Sequence, residues 1–177
     1  MPRKKQQKSI RKKQKRTILF YGEGASENVF LRHLKNIYAN DLGIKITIKN
    51  GNGGSPDMVV RKAINREGDF GIRVVIVDSD RPEIEKAREI AGEKGIHLLE
   101  NEPCLEALLL RILNIGKFTE NKSSKYYKKE FEKKHICENK RCDIDEYAKI
   151  FLKKVLDSRR KEIGELDRMI GFVEKGR

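Results

Sequence analysis

Three carboxylates at two places in the chain have the spacing that metal-assisted chemistry needs. Glu23 stands between two glycines, Gly22 and Gly24, two residues past a short β-rich apolar run, Thr17–Tyr21. Asp78 and Asp80 close a second run, Val74-Val75-Ile76-Val77, that is unbroken and β-branched. Residues i and i+2 at a strand end share a side, so Asp78 and Asp80 are expected to grip one ion together. Clustered carboxylates repel strongly unless a cation neutralises them. An oxygen-only donor set favours Mg²⁺ or Mn²⁺, which keep water ligands that a phosphate can displace. Each residue also has a plainer reading: Glu23 as a loop acid, Asp80 as the cap of a helix that Pro82 begins. Only their joint placement at strand ends favours a site.

The elements around these residues alternate. Ser26 is a candidate N-cap for a helix carrying Val29, Phe30, Leu34, Ile37 and Tyr38 at helical spacing. Ile44, Ile46 and Ile48 alternate with Lys45, Thr47 and Lys49 as a strand with one wet face. A glycine-rich loop, Asn50–Gly54, leads to Ser55-Pro56-Asp57, which opens a helix to about Asn65. The Val74–Val77 run predicts a strand buried on both faces, over Ile72–Val77. Pro82 starts a helix to about Glu93, Gly95 stops it, and Ile96–Leu99 forms a fourth strand. Pro103 opens a helix whose apolar side carries Leu105, Leu108, Leu109 and Ile112. This βαβαβαβα order predicts an α/β fold, an open parallel sheet with helices on both faces. Ligands bind such sheets at the carboxyl ends of the strands, where Glu23 and the two aspartates fall. The expected organisation is a basic flexible arm over 1–16, an α/β domain over 17–115 and a charged helical extension over 116–177. Within the extension, helices are expected near Lys125–Lys134 and Ile144–Arg160.

Charge is unevenly placed. The chain has 40 Lys and Arg against 27 Asp and Glu, a formal net charge of +13. Nine of the bases and none of the acids lie in residues 1–16. Arg11, Lys12, Lys13, Lys15 and Arg16 are the candidate nucleic-acid contacts, since a basic tail attracts polyphosphates through counterion release. A solubilising leader is the plainer reading. No apolar run reaches membrane-spanning length, and no apolar signal segment follows the basic start. Cys104, Cys137 and Cys142 make no disulfide framework, so a cytoplasmic protein without a membrane partner is expected. His135, Cys137 and Cys142 form an incomplete zinc set. Gly22–Glu27 mimics a dinucleotide fingerprint, but Glu27 replaces the third glycine and Lys49-Asn50 stand where an acid is needed. No Walker motif is present. His33 and His97 read as structural. Lys125–Lys129 mixes bases with Tyr126 and Tyr127, which suits a phosphate backbone or an inward-facing amphipathic helix. Lys128 is the candidate for stabilising charge at a scissile phosphate.

The run Ile18–Gly24, with Glu23 in it, followed by Val77-Asp78-Ser79-Asp80, resembles the Toprim pattern of a glutamate after the first strand and Asp-x-Asp after the third. That domain is shared by topoisomerases, bacterial primases, small ribonucleases and the OLD-family nucleases. More narrowly, Glu23-Gly24-Ala25-Ser26-Glu27, the Asp-x-Asp and Asn101-Glu102-Pro103-Cys104-Leu105-Glu106 resemble the RloB-like family of bacterial phage-defence proteins. The likeness covers about residues 17–115, with a weaker match near Tyr126–Lys129. Leu105 stands where the family usually has an aromatic, and Ala107 where Trp is common. The resemblance implies a Toprim-type sheet in which Glu23, Asp78 and Asp80 bind metal and Glu106 serves a second ion. It implies a divalent-metal-dependent endonuclease acting on nucleic-acid phosphodiesters in phage defence by abortive infection, beside a separate partner ATPase. From the residues alone, Glu106 equally suits the first turn of a helix, where an acid complements the dipole. Glu27 is a cap or a supporting residue. Oligomeric state is left open, a homodimer included. The alternative is a non-catalytic nucleic-acid-binding or scaffolding protein of the same fold. Strand passage or primer synthesis ranks last, because no cleavage or polymerase domain fits in this length.

Overall fold

The computed structural model describes residues 16–39, 43–113 and 121–175. In its first part β1 (Arg16–Gly22), α1 (Ala25–Tyr38), β2 (Ile44–Asn50), α2 (Pro56–Ile64), β3 (Ile72–Asp78), α3 (Ile84–Glu93), β4 (His97–Asn101) and α4 (Leu105–Leu113) alternate. The four strands form one sheet in the order β2-β1-β3-β4, and every pairing is parallel. The expected open parallel sheet is therefore present. After β1 the chain steps outward to β2, then crosses back to the other side of β1 to lay down β3. This reversal leaves a crevice above the carboxyl ends of β1 and β3.

Strand side chains divide by the two-residue period. Ile18, Phe20, Ile46, Val74, Ile76 and Leu99 enter one core, shared with α1 and α4. Leu19, Tyr21, Val75 and Val77 enter the other, shared with α2 and α3. Both faces are thus covered by helices, which is why Val74–Val77 is apolar without interruption.

Two helix starts differ from the pattern-based expectation. The cap of α1 is Gly24 rather than Ser26, because Glu27 turns back to accept from the Gly24 N–H at 2.9 Å. Pro82 and Pro103 precede their helices instead of opening them. Pro82 lies in a turn closed by the Ile84 N–H on the Arg81 carbonyl at 3.2 Å.

Beyond residue 121 come α5 (Ser124–Lys134), a 3-10 turn at Glu138–Lys140, α6 (Ile144–Ile150), α7 (Lys153–Arg159) and α8 (Gly164–Lys175). The single helix expected over 144–160 is two. Phe151 leaves the helix because its side chain is buried against Phe30, with ring centroids 5.5 Å apart, and its carbonyl accepts from His33 Nε2 at 2.8 Å. Helix α8 was not anticipated. Its Leu166, Met169, Ile170, Phe172 and Val173 recur at helical spacing and join the same core as α1 and α4. Tyr127, Phe131, Tyr147 and Phe151 are in that core too. The described residues beyond 121 therefore complete the first face of the sheet.

Among the described residues no helix is long and apolar enough to cross a membrane. Of the five basic candidates, Arg11, Lys12, Lys13 and Lys15 lie outside the described residues. Arg16 opens β1, where its Nη1 donates to the Lys175 carbonyl at 3.2 Å. That is the amino end of the strand, opposite the crevice.

Candidate functional site

Gly22 ends β1, and a Cβ there would stand 2.9 Å from both Asn28 Oδ1 and Glu27 Cβ. Glycine at this point lets α1 begin directly against the strand end. The Glu23 N–H then donates to the Ile76 carbonyl at 3.1 Å, tying the turn to β3. Its carboxylate swings the same way: Oε2 accepts from the Asp78 N–H at 3.4 Å, and Oε1 faces Arg81 Nε at 3.9 Å. Asp78 is the last residue of β3 and only 6% exposed. Its Oδ1 accepts from the Leu105 N–H at 3.0 Å, at the first turn of α4, and its Oδ2 lies 3.8 Å from Lys128 Nζ on α5. Glu27 from α1 and Glu106 from α4 are both buried beside them.

The electrostatics show how close these groups are. The Asp78 carboxyl is pushed up to about 8, first by burial and then by Glu27, Glu23 and Glu106, with Lys128 opposing. Burial also raises Glu27, with Glu106 and Glu23 adding to it against the backbone hydrogen bonds that favour its charge. At Lys128 burial disfavours the charge, yet Glu106, Asp78, Cys104 and Asp80 outweigh it and raise the ammonium above its ordinary value. The Tyr147 hydroxyl on α6 is raised by burial and then by Glu106 and Glu27, so the C-terminal helices form the back wall of the cluster. Four carboxylates, Glu23, Glu27, Asp78 and Glu106, thus act on one another at the carboxyl end of the sheet, with half-exposed Lys128 reaching Asp78 and Arg81 reaching Glu23.

Not every expected residue falls in this group. Asp80 does not share a side with Asp78, because β3 ends at Asp78 and the strand alternation stops there. Asp80 lies in the following turn, exposed, with its N–H on the Pro103 carbonyl at 3.3 Å and its carboxylate accepting from Ser124 Oγ. It faces Lys128 from outside, and its bond to Ser124 takes it away from capping α3. Glu23, Asp78, Glu106 and Lys128 do come together. The pattern-based reading set Glu27 aside as a cap or support and passed over Arg81 and Asn101. Glu27 is indeed a cap, but its burial beside Asp78 depends on α4 and α6, which no local pattern announces. Asn101 is the register partner of Asp78 and completely buried, and neither its Oδ1 nor its Nδ2 has a partner among the described residues. Ile76 and Leu99, two residues earlier on each strand, lie in the same core, so Asp78 and Asn101 are on the same side of the sheet.

Among the described residues no three His, Cys, Asp or Glu side chains converge closely enough to hold a metal ion as they stand. The same holds for His135, Cys137 and Cys142. Four of the acids are instead closed on donors of the protein: Glu23 on the Asp78 N–H, Glu27 on the Gly24 N–H, Asp78 on the Leu105 N–H, Asp80 on Ser124. The donor chemistry nevertheless fits a hard divalent cation. The set is oxygen-only and short of positive charge, and the unpartnered Asn101 oxygen adds a neutral donor beside Asp78. Comparison of the chain with models of protein families, with curated proteins and with solved structures finds no match.

Proposed function

We propose that this protein is a divalent-metal-dependent hydrolase of nucleic-acid phosphodiesters, with a Toprim-type site and an RloB-like role in phage defence beside a partner ATPase. The observation that carries this reading is the placement of buried Asp78, between the Glu23 carboxylate on its N–H and Lys128 at 3.8 Å, with buried Glu27 and Glu106 beside it at the switch point of the sheet. A group so costly to ionise is retained most economically where a ligand compensates it. Glu23, Asp78 and Glu106 would hold Mg²⁺ or Mn²⁺, with Glu27 orienting them and Asp80 at the rim. Bound there, the ion would polarise the phosphate and lower the pKa of a coordinated water. Lys128 faces Asp78 and Arg81 faces Glu23, and both can stabilise negative charge on phosphate oxygens. Buried Leu105, Leu108 and Tyr147 exclude water behind the cluster.

The test is cleavage of labelled DNA and RNA in Mg²⁺ or Mn²⁺, with any partner ATPase supplied. Wild-type protein should cut, and Glu23→Gln and Asp78→Asn should each lower the rate by a factor of roughly 100 or more. Mg²⁺ should raise the wild-type melting temperature, because an ion bound only by the native state stabilises it, and the variants should lose that rise. Full cleavage by Asp78→Asn would place the chemistry elsewhere. A second reading, a non-catalytic nucleic-acid-binding module, draws on the closure of Glu23, Glu27, Asp78 and Asp80 on protein donors. It predicts no Mg²⁺-dependent rise in any form of the protein.

A further inference from the structure

β2 is an edge strand, and α2 packs its buried Val59, Val60 and Ala63 against the second core. Along the outer flank of α2 runs an open groove of about 610 Å³, floored by Tyr21 of β1 and lined by Met58, Arg61, Lys62, Asn65 and Arg66. Positions 58, 61, 62 and 65 follow i, i+3, i+4, i+7 spacing, so they form one stripe of the helix. Lys49, the register partner of Tyr21, stands beside the floor, and Lys45 precedes it by four residues on the same side of β2.

This groove has uncompensated positive charge. Arg66 and Lys62 form no ion pair among the described residues; Lys62 Nζ is held by backbone, donating to the Gly51 carbonyl at 2.6 Å and the Gly53 carbonyl at 3.3 Å. Arg61 reaches Asp57 only at 3.9 Å, and Asp57 is already engaged by Lys86 at 3.2 Å. Glu67 is the one acid of the lining. A lysine held by backbone carbonyls beside two exposed arginines suits a polyanion, and exposed Met58 gives a base or sugar an apolar surface.

The groove is also joined to the carboxylate crevice. The Gly51 N–H donates to the Gly22 carbonyl at 2.7 Å and the Gly53 N–H to the Glu23 carbonyl at 2.9 Å. A Cβ on Gly51 would lie 3.1 Å from the Gly22 carbonyl oxygen and 3.2 Å from that of Glu23, so only glycine lets this loop dock so closely. On the far side Arg81 Nη2 donates to the Gly54 carbonyl at 3.2 Å while its Nε faces Glu23. One loop therefore connects Lys62 in the groove to Glu23 and Arg81 at the site.

We propose that this groove along α2 binds the phosphodiester backbone of a nucleic-acid strand and leads it over the glycine loop to the carboxylates. The inference rests on the reading of nucleic acid as the partner, but not on catalysis. Its test uses the full-length protein in EDTA and a fluorescein-labelled single-stranded oligodeoxynucleotide, with anisotropy measured across a salt series. Arg61→Gln with Arg66→Gln removes two single-strand phosphate contacts. The slope of log K against log salt should flatten by about 1.4, and affinity at about 0.1 M salt should fall roughly 10- to 30-fold. Lys154→Gln, exposed on α7 away from the groove, should change neither by more than a small fraction of that. Melting temperatures of the variants should match wild type, since the substituted side chains lie at the surface.

An unchanged slope in the double variant overturns the proposal, as does an equal change in Lys154→Gln, which would reduce the effect to net charge. Displacement of poly-glutamate, but no binding of the oligonucleotide, would assign the groove to an acidic protein and also overturn it. The two proposals fail separately. Groove-dependent binding that survives Asp78→Asn, in a protein that never cuts, sinks the hydrolase and keeps the groove. Cutting with a slope indifferent to Arg61 and Arg66 does the reverse.

Discussion

Asp78 carries the tension of the site in one side chain. It is buried, faces three other acids, and accepts a hydrogen bond from the first turn of α4. Its carboxyl is raised from an ordinary 3.8 to about 8, so between those values the folded protein binds a proton that the unfolded chain does not. Stability contributed by the protonated form is full below 3.8, declines as pH rises, and is gone above about 8, at up to roughly 1.4 kcal/mol per pH unit. Metal-free protein should therefore melt at a higher temperature near pH 6 than near pH 8, and Asp78→Asn should shrink the difference. Glu27 shifts in the same direction, so some slope should survive the substitution. Mg²⁺ should reverse the trend, since ion and proton compete for the same oxygens. His33 and His135, lowered by burial, add stability as pH rises toward 6.5, so the test is the wild-type minus Asp78→Asn difference, compared between pH 7 and pH 8. No change in that difference would show that Asp78 is ionised throughout. Glu23 and Asp78 were legible in the sequence because each ends an apolar run on an alternating pattern. Glu27, Arg81 and Asn101 were not. What distinguishes them is the company they keep, and that company comes from α4, α6 and the α2 loop.

Helix α5 joins the charged and apolar halves of the design. Its Ser124 and Lys128 meet Asp80 and Asp78, while Tyr127 and Phe131, interleaved with them on the same stripe of the helix, are buried. Phe131 packs on Phe151, with ring centroids 6.5 Å apart, and through it on Phe30 of α1. Phe131→Ala should lower unfolding free energy by about 3–5 kcal/mol, read by chemical denaturation. Lys125→Ala, exposed on the same helix, should stay within about 0.5 kcal/mol. Equal losses from the two would mean that α5 is held by its surface rather than by its rings. Elements of the sheet were legible because their periods are clean and glycine or proline marks their ends. The break at Phe151 was not, since nothing local forbids a helix there. A ring packed on α1 and a carbonyl given to His33 decide it. Tertiary contacts overrode a good helical pattern.

At the scale of the whole chain, composition and packing divide the molecule differently. By composition the residues after 116 look like an accessory, rich in Lys and Glu. By packing they supply Tyr127, Phe131, Ile136, Tyr147, Phe151, Leu156, Ile163 and the buried face of α8 to the core that also holds Ile18, Phe20 and Ile76. The charges occupy the outer faces of short helices, so a low average hydropathy hides a regular set of buried positions. Without these helices α1 would expose Phe30, and His33 would lose the Phe151 carbonyl, its partner at 2.8 Å. Each large apolar side chain so exposed forfeits about 1.5–3 kcal/mol, and a few of them equal the 5–15 kcal/mol by which domains are stable. A chain ending at residue 113 should therefore lack a cooperative melting transition and bind a hydrophobic dye, although every strand of the sheet remains in it. It should also lose the upward shift of Asp78, because α5 and α6 no longer cover that end of the sheet. A sharp transition with native near-ultraviolet dichroism in that shortened chain would show instead that the strand-and-helix repeat folds alone. In that case the C-terminal helices would be there for Lys128 and Ser124 only, and the site would be separable from the stability of the fold.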